Sequence, residues 1–335
     1  MVKRISRYAA AFVIYTGFAV YLYQPYFEKF SNVEYFFVVN VIVAAMGSFI
    51  LSRRWVISFV GSFFAGALYG FGPFMLGLGR FHPLAGLLAS CVPWLFLPAV
   101  FGPKGRLRIF RVPLAVMPFV VIVLFFEITT RFHIFAVPIN AKLNLKDLFA
   151  LAAPLVAVKR NLTAFGFYHV PIGALAMGFA MLLAVKRTGV IVVLCLGTAL
   201  ALFGPLLNVS SVIWLSIPML CCSVIIGEGT AGFISAGHAD RKWLLSSTIL
   251  LMILAIVNLL LATRYFQVFF GLADGYARLF VQTGVMYIVG AVSIGIVFFV
   301  TRTGLRVHWL RWTVLTAALA VDVFLGATFL VDLIF

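Results

Sequence analysis

Acid is scarce in this sequence. Its 335 residues hold nine Asp and Glu against 25 Lys and Arg, and charged residues of both signs make up only 10%, where a soluble globular chain carries about 25%. Hydrophobic residues reach 64%, and no soluble core absorbs that much apolar surface. Histidine is sparser still, with five residues. Of His82, His133, His169, His238 and His308, only His169 lies inside an apolar run, so no pair of histidines can bracket a haem in the membrane. Neither a His-x3-His nor a Cys-x2-Cys arrangement is present for zinc. The four cysteines, Cys91, Cys195, Cys221 and Cys222, all fall within apolar runs and read as small core residues rather than a disulfide framework. No cofactor or metal is expected.

Two further signatures are missing. The segment 228–242 is rich in glycine and ends in Arg241 and Lys242, but it has neither the lysine spacing of a P-loop nor a dinucleotide fingerprint. It reads as a solvated cytoplasmic loop, with Glu228, His238, Asp240 and Arg241 as weak candidates for phosphate contact or gating. Asp274-Gly275-Tyr276-Ala277-Arg278 has one residue too few between its Asp-Gly and Ala-Arg pairs, and no later paired aspartates, to match the CDP-alcohol phosphatidyltransferase signature.

What is abundant is the apolar run of about 20 residues, the length that crosses a hydrocarbon layer about 30 Å thick at 1.5 Å per helical residue. Eleven such runs are legible, which predicts an all-α polytopic membrane bundle in a single domain. The N-terminus, with Lys3, Arg4 and Arg7 before an apolar stretch, has the charge layout of a secretory signal. It lacks a small-x-small cleavage site and reads as a retained first helix.

The basic residues test that count. With the N-terminus in the cytoplasm, sixteen Lys and Arg fall on the inner side and nine on the outer, five of those nine within the single loop 131–163. Long loops count little in the positive-inside rule, so eleven spans with an extracytoplasmic C-terminus fit. The net charge of +16 then belongs to loops that meet anionic lipid headgroups on the cytoplasmic side, in the plasma (inner) membrane. A nucleic-acid partner is not expected, because no basic stripe is interleaved with aromatics on a soluble face. Within 131–163, the stretch from Asp147 to Val158 is too short to span and predicts an interfacial or re-entrant helix on the extracytoplasmic side.

The chemistry-bearing residues are those that lipid penalises. Asp322 sits inside the last apolar run, where a carboxylate costs about 3 kcal/mol on the insertion scale. Counting 1.5 Å per residue places it about 20 Å from the inner boundary, and puts Glu127, His169, Asn40 and Asn258 near the same outer-half level. Each should face the bundle interior, and a shared depth allows them to meet. Asp322, Glu127 and His169 therefore form the expected pocket for a substrate or a proton, with Asn40 and Asn258 as hydrogen-bonding support.

Glycine and proline interrupt several runs, as in Gly70-Phe71-Gly72-Pro73 and Val170-Pro171. Broken helices line binding sites in many carriers. The leading expectation is a transporter-like permease or carrier, coupled to protons through those acids, for a small solute. The alternatives are a membrane enzyme acting on a lipid-linked or extracytoplasmic substrate with Glu127 or Asp322 as general acid or base, and a structural or assembly subunit. In the last, the chain pairs with a partner subunit or copies of itself, and Asp322 faces lipid.

Overall fold

The computed structural model describes residues 2–32, 34–81, 83–102, 109–132, 149–156, 166–185, 188–203, 207, 209–271, 275–302 and 308–335. Backbone amides that cannot reach water must bond within their own segment, and apolar sequence in lipid satisfies that by coiling into helices. The described residues are accordingly 89% helical with no strand.

The helices are α1 (Val2–Tyr23), α2 (Tyr35–Ser52), α3 (Phe59–Gly70), α4 (Pro73–Phe81), α5 (Pro83–Phe101), α6 (Arg111–Arg131), α7 (His169–Ala184), α8 (Thr188–Leu202), α9 (Ser211–Trp214), α10 (Ser216–Ser235), α11 (Arg241–Leu261), α12 (Arg264–Phe270), α13 (Gly275–Arg302) and α14 (His308–Ile334). Among the described residues, eight segments are long and apolar enough to cross a membrane: α2, α3 with α4, α5, α6, α9 with α10, α11, α13 and α14. Of the eleven expected spans, the other three correspond to α1, which begins among three basic residues, and to α7 and α8, which are apolar but only 16 and 15 residues long.

The core is built around α10. It packs against α3, α7 and α8, and 16 of its 20 residues are buried. Glycine makes this possible. A Cβ on Gly61 of α3 would strike the carbonyl of Gly227 and one on Gly227 that of Gly61, while Gly229 lies on Ala174 and Gly178 on Ile225. Backbones that approach so closely gain dispersion contacts that lipid does not supply. Around this centre, α2 lies against α3 and α5, α6 against α5, and α11 against α13 and α7. The last helix, α14, returns to α4, α13 and α1.

The outer surface is apolar. On α13, Val281, Val285, Val289, Val292, Ile296 and Phe299 are exposed at helical spacing, and α11 carries a matching stripe from Leu245 to Leu260. In water such a surface would drive association; in a bilayer it is the solvated face.

Two expectations change here. The glycine-rich 228–242 stretch is not a loop, because α10 continues through Ser235 and α11 begins at Arg241. Gly229 and Gly232 serve helix contact with their amides bonded within α10, and the Gly237 amide is taken by the Asp240 side chain. The loop 131–163 lies mostly outside the described residues, but 149–156 is placed. Ala150, Ala153, Leu155 and Val156 are buried, the last three with Leu279 and Phe280 of α13. That part of the Asp147 to Val158 segment is tucked among helix ends rather than laid flat on the surface.

Candidate functional site

The site begins with two interruptions of regular helix. In the third span, Pro73 supplies no amide hydrogen and its ring excludes the carbonyl four residues back, so α3 stops at Gly70 and α4 restarts at Pro73. The Phe71 carbonyl released at this break accepts a hydrogen bond from the Tyr168 hydroxyl at 2.6 Å. Tyr168 is also the residue that precedes α7, with an extended backbone (φ −64°, ψ −178°) and no side-chain cap of its own.

A helix beginning inside a membrane leaves its first amides without partners. At α7, Pro171 removes one of them, since proline has no N–H. Asp322 of α14 takes another: the Val170 amide donates to Asp322 Oδ2 at 2.7 Å. The other carboxylate oxygen, Oδ1, lies 2.8 Å from His169 Nδ1. One acid therefore closes two contacts, and it sits at the positive end of a helix dipole, where negative charge is favoured.

Asp322 is about 21 Å along α14 from His308, close to the middle of the helix. Asp322 and His169 are each 1% exposed, so the pair is dry on every side formed by protein. The Tyr287 ring of α13 meets His169 edge-on, with centroids 5.0 Å apart and planes at 84°, and its hydroxyl donates to the Leu151 carbonyl at 2.9 Å. One turn beyond Asp322, Gly326 leaves room for the Tyr168 ring, which a Cβ there would overlap. The imidazole thus has Nδ1 on a carboxylate and a wall of aromatic rings. Its Nε2 is buried and has no hydrogen-bond partner among the described residues.

Of the five residues expected to share a pocket, the structure joins Asp322 and His169 directly. Asn258 of α11 is buried and donates to the carbonyls of Ala152 and Leu254, both at 2.8 Å. Since Tyr287 holds the adjacent Leu151 carbonyl, Asn258 and Tyr287 grip the same segment. Asn40 is buried in α2 beside Gly86 of α5. Glu127 is a correction to the expected geometry: it is exposed, on α6, a peripheral helix with only five of its 21 residues buried. Depth along a helix says nothing of which way a side chain faces, and a carboxylate one turn from the helix end reaches headgroup water by itself.

The weaker candidates also resolve. Glu228 is inside α10 and buried, Asp240 accepts from the Gly237 amide at 2.9 Å, and Arg241 donates to the carbonyls of Thr301 and Arg302; the His238 side chain lies outside the described residues. Tyr168 and Tyr287 were missed by sequence reasoning. A tyrosine adjoining the one histidine that the sequence places inside an apolar run was a usable signal for the first, whereas Tyr287 has none.

No metal-holding group of three or more His, Cys, Asp or Glu occurs among the described residues. Comparison with family models, curated proteins and solved structures finds no match to this chain.

Proposed function

We propose that the chain is a multi-pass carrier of a small solute whose transport is coupled to protons at the His169–Asp322 pair. The single observation that carries this reading is a fully buried carboxylate, midway along an apolar helix, bonded both to an imidazole and to the first turn of a helix that starts inside the bundle. Intramembrane ionisable residues mark ion and substrate pathways. Half-helix termini and broken spans such as α3 and α4 are the usual material of carrier sites. In this reading α1, α7 and α8 complete eleven traverses, with the N-terminus in the cytoplasm and the C-terminus and 131–163 outside, in the plasma membrane. Asp322 faces inward, which fits a site better than a partner-helix contact.

A second reading has one observation in its favour. An imidazole whose Nδ1 is held by a carboxylate and whose Nε2 is left over has the arrangement of a general base oriented by an acid, as a membrane enzyme acting on a lipid-linked substrate would need.

Proteoliposomes carrying the purified chain and an internal pH-sensitive dye distinguish these readings. Pools of amino acids, sugars, nucleosides and inorganic ions are added outside in turn. A solute-dependent proton flux that Asp322→Asn abolishes is the expected result, with the variant still monodisperse. Proton movement independent of every pool, or unaltered by the substitution, would overturn the carrier. Turnover of lipid-linked substrates in detergent, without a sealed membrane, would establish the enzyme instead.

A further inference from the structure

At the end of the bundle remote from Tyr26 and Asp332, four helix ends meet around the turn 236–241. Arg311, in the first turn of α14, sends Nη1 to the Ala236 carbonyl at 2.8 Å, just past the end of α10. Arg241, the first residue of α11, spans to the Thr301 and Arg302 carbonyls at the end of α13, at 3.2 and 3.1 Å. Both guanidinium groups thus sit at helix C-termini, where the dipole favours positive charge.

Arg311 is not satisfied by this. It is 7% exposed, and a guanidinium carries five N–H donors in a rigid fork. One is used on Ala236; among the described residues, the buried Nε has no partner and no carboxylate pairs with the guanidinium. Half a helix-dipole charge does not balance a full one. The surroundings add to the imbalance, since Arg241, Lys242, Arg302 and Arg311 gather here with Asp240 the single described acid of the turn. Asp240 is engaged with the Gly237 amide. Trp309 and Trp312 stand on the exposed side of the same first turn of α14, 69% and 47% exposed, and Lys242 lies over the Trp243 ring at 5.8 Å. Exposed tryptophans of this kind settle at the level of lipid headgroups.

We infer that Arg311 and the 236–241 turn form a site for a phosphate-bearing anion, as the headgroup of an anionic phospholipid supplies. The fork left on Arg311 suits two phosphate oxygens. Arg241 and Lys242 contribute field, and the tryptophans rest along the glycerol and upper chains. Basic pockets between helices at the cytoplasmic face bind such headgroups generally. The site is separate from the His169–Asp322 pair and does not depend on what that pair does.

The test uses the full chain in neutral detergent, with native mass spectrometry and thermal unfolding read after adding phosphatidylglycerol, phosphatidylcholine or inorganic phosphate. Retention of phosphatidylglycerol at least tenfold above phosphatidylcholine is expected, with a raised unfolding temperature. Arg311→Lys, which keeps the charge and a donor for Ala236 but loses the fork, should cut that retention about tenfold. Lys242→Gln, on an exposed side chain, should cut it a few-fold without unfolding. If millimolar phosphate protects as well as the lipid, the anion is free phosphate. Equal retention of the two lipids by the wild-type protein, without phosphate protection, overturns the site. That arm decides the matter even if Arg311→Lys fails to fold. Preserved selectivity in a folded Arg311→Lys protein overturns the role of Arg311.

Discussion

A single carboxylate holds this site together. Asp322 bonds to His169 and Val170 at once, so removing it strands an imidazole nitrogen and an amide in a dry interior. Breaking one side of a buried charged pair costs about 3–5 kcal/mol. Asp322→Ala should therefore lower the unfolding temperature in detergent by many degrees, whereas Asp322→Asn, which keeps one acceptor, should lower it less while still abolishing proton-linked flux. Equal stability of Asp322→Ala and wild type would mean that the carboxylate is not structurally required. Tyr168→Phe is a gentler test. It unpairs the Phe71 carbonyl at the break between α3 and α4, at a cost of about 1–3 kcal/mol for a buried group left unsatisfied. The same thermal scan reads it.

Among the elements, glycine decides which helices may touch. Gly229 meets the Ala174 carbonyl, a backbone atom that cannot swing aside, while a Cβ at Gly17 in α1 would meet nothing. Gly229→Ala should force α10 away from α7 and yield little folded protein, whereas Gly17→Ala should be neutral or slightly stabilising, since alanine is the better helix former by about 1 kcal/mol. Solubilised yield and size-exclusion profiles of the two variants check this. The sequence shows small residues at helix-packing spacing, Gly61-x3-Ala65 and Ala174-x3-Gly178 among them, and these do lie at contacts. It also suggests a loop at 228–242, because glycine next to charge reads as solvated. In lipid-like surroundings the same glycines extend a helix, since an unpaired backbone there is costlier than a flexible residue in a helix.

At the scale of the whole molecule, the distribution of Lys and Arg predicts an orientation. Alkaline phosphatase fused after Phe335 should be active outside the cell and inactive when fused after Arg302; the reverse pattern would invert the topology and exchange the two ends of the bundle. The membrane class, the apolar spans and the likeness in depth of Asp322 and His169 were legible from residues alone, because hydropathy and a 1.5 Å rise act along one axis. What lay across that axis was not legible. Glu127, which the same count puts near that level, lies one turn from its helix end and faces outward, and Tyr287 carries no mark in the sequence yet stands against the imidazole. The rotation of each helix about its own axis follows from which side chains interlock with neighbours distant in the chain. So the sequence by itself determined that this is a helical bundle for lipid with an acid in its last helix. The tertiary packing alone decided that the acid closes the start of α7 beside His169, because only the assembled interior leaves that amide and that imidazole without water.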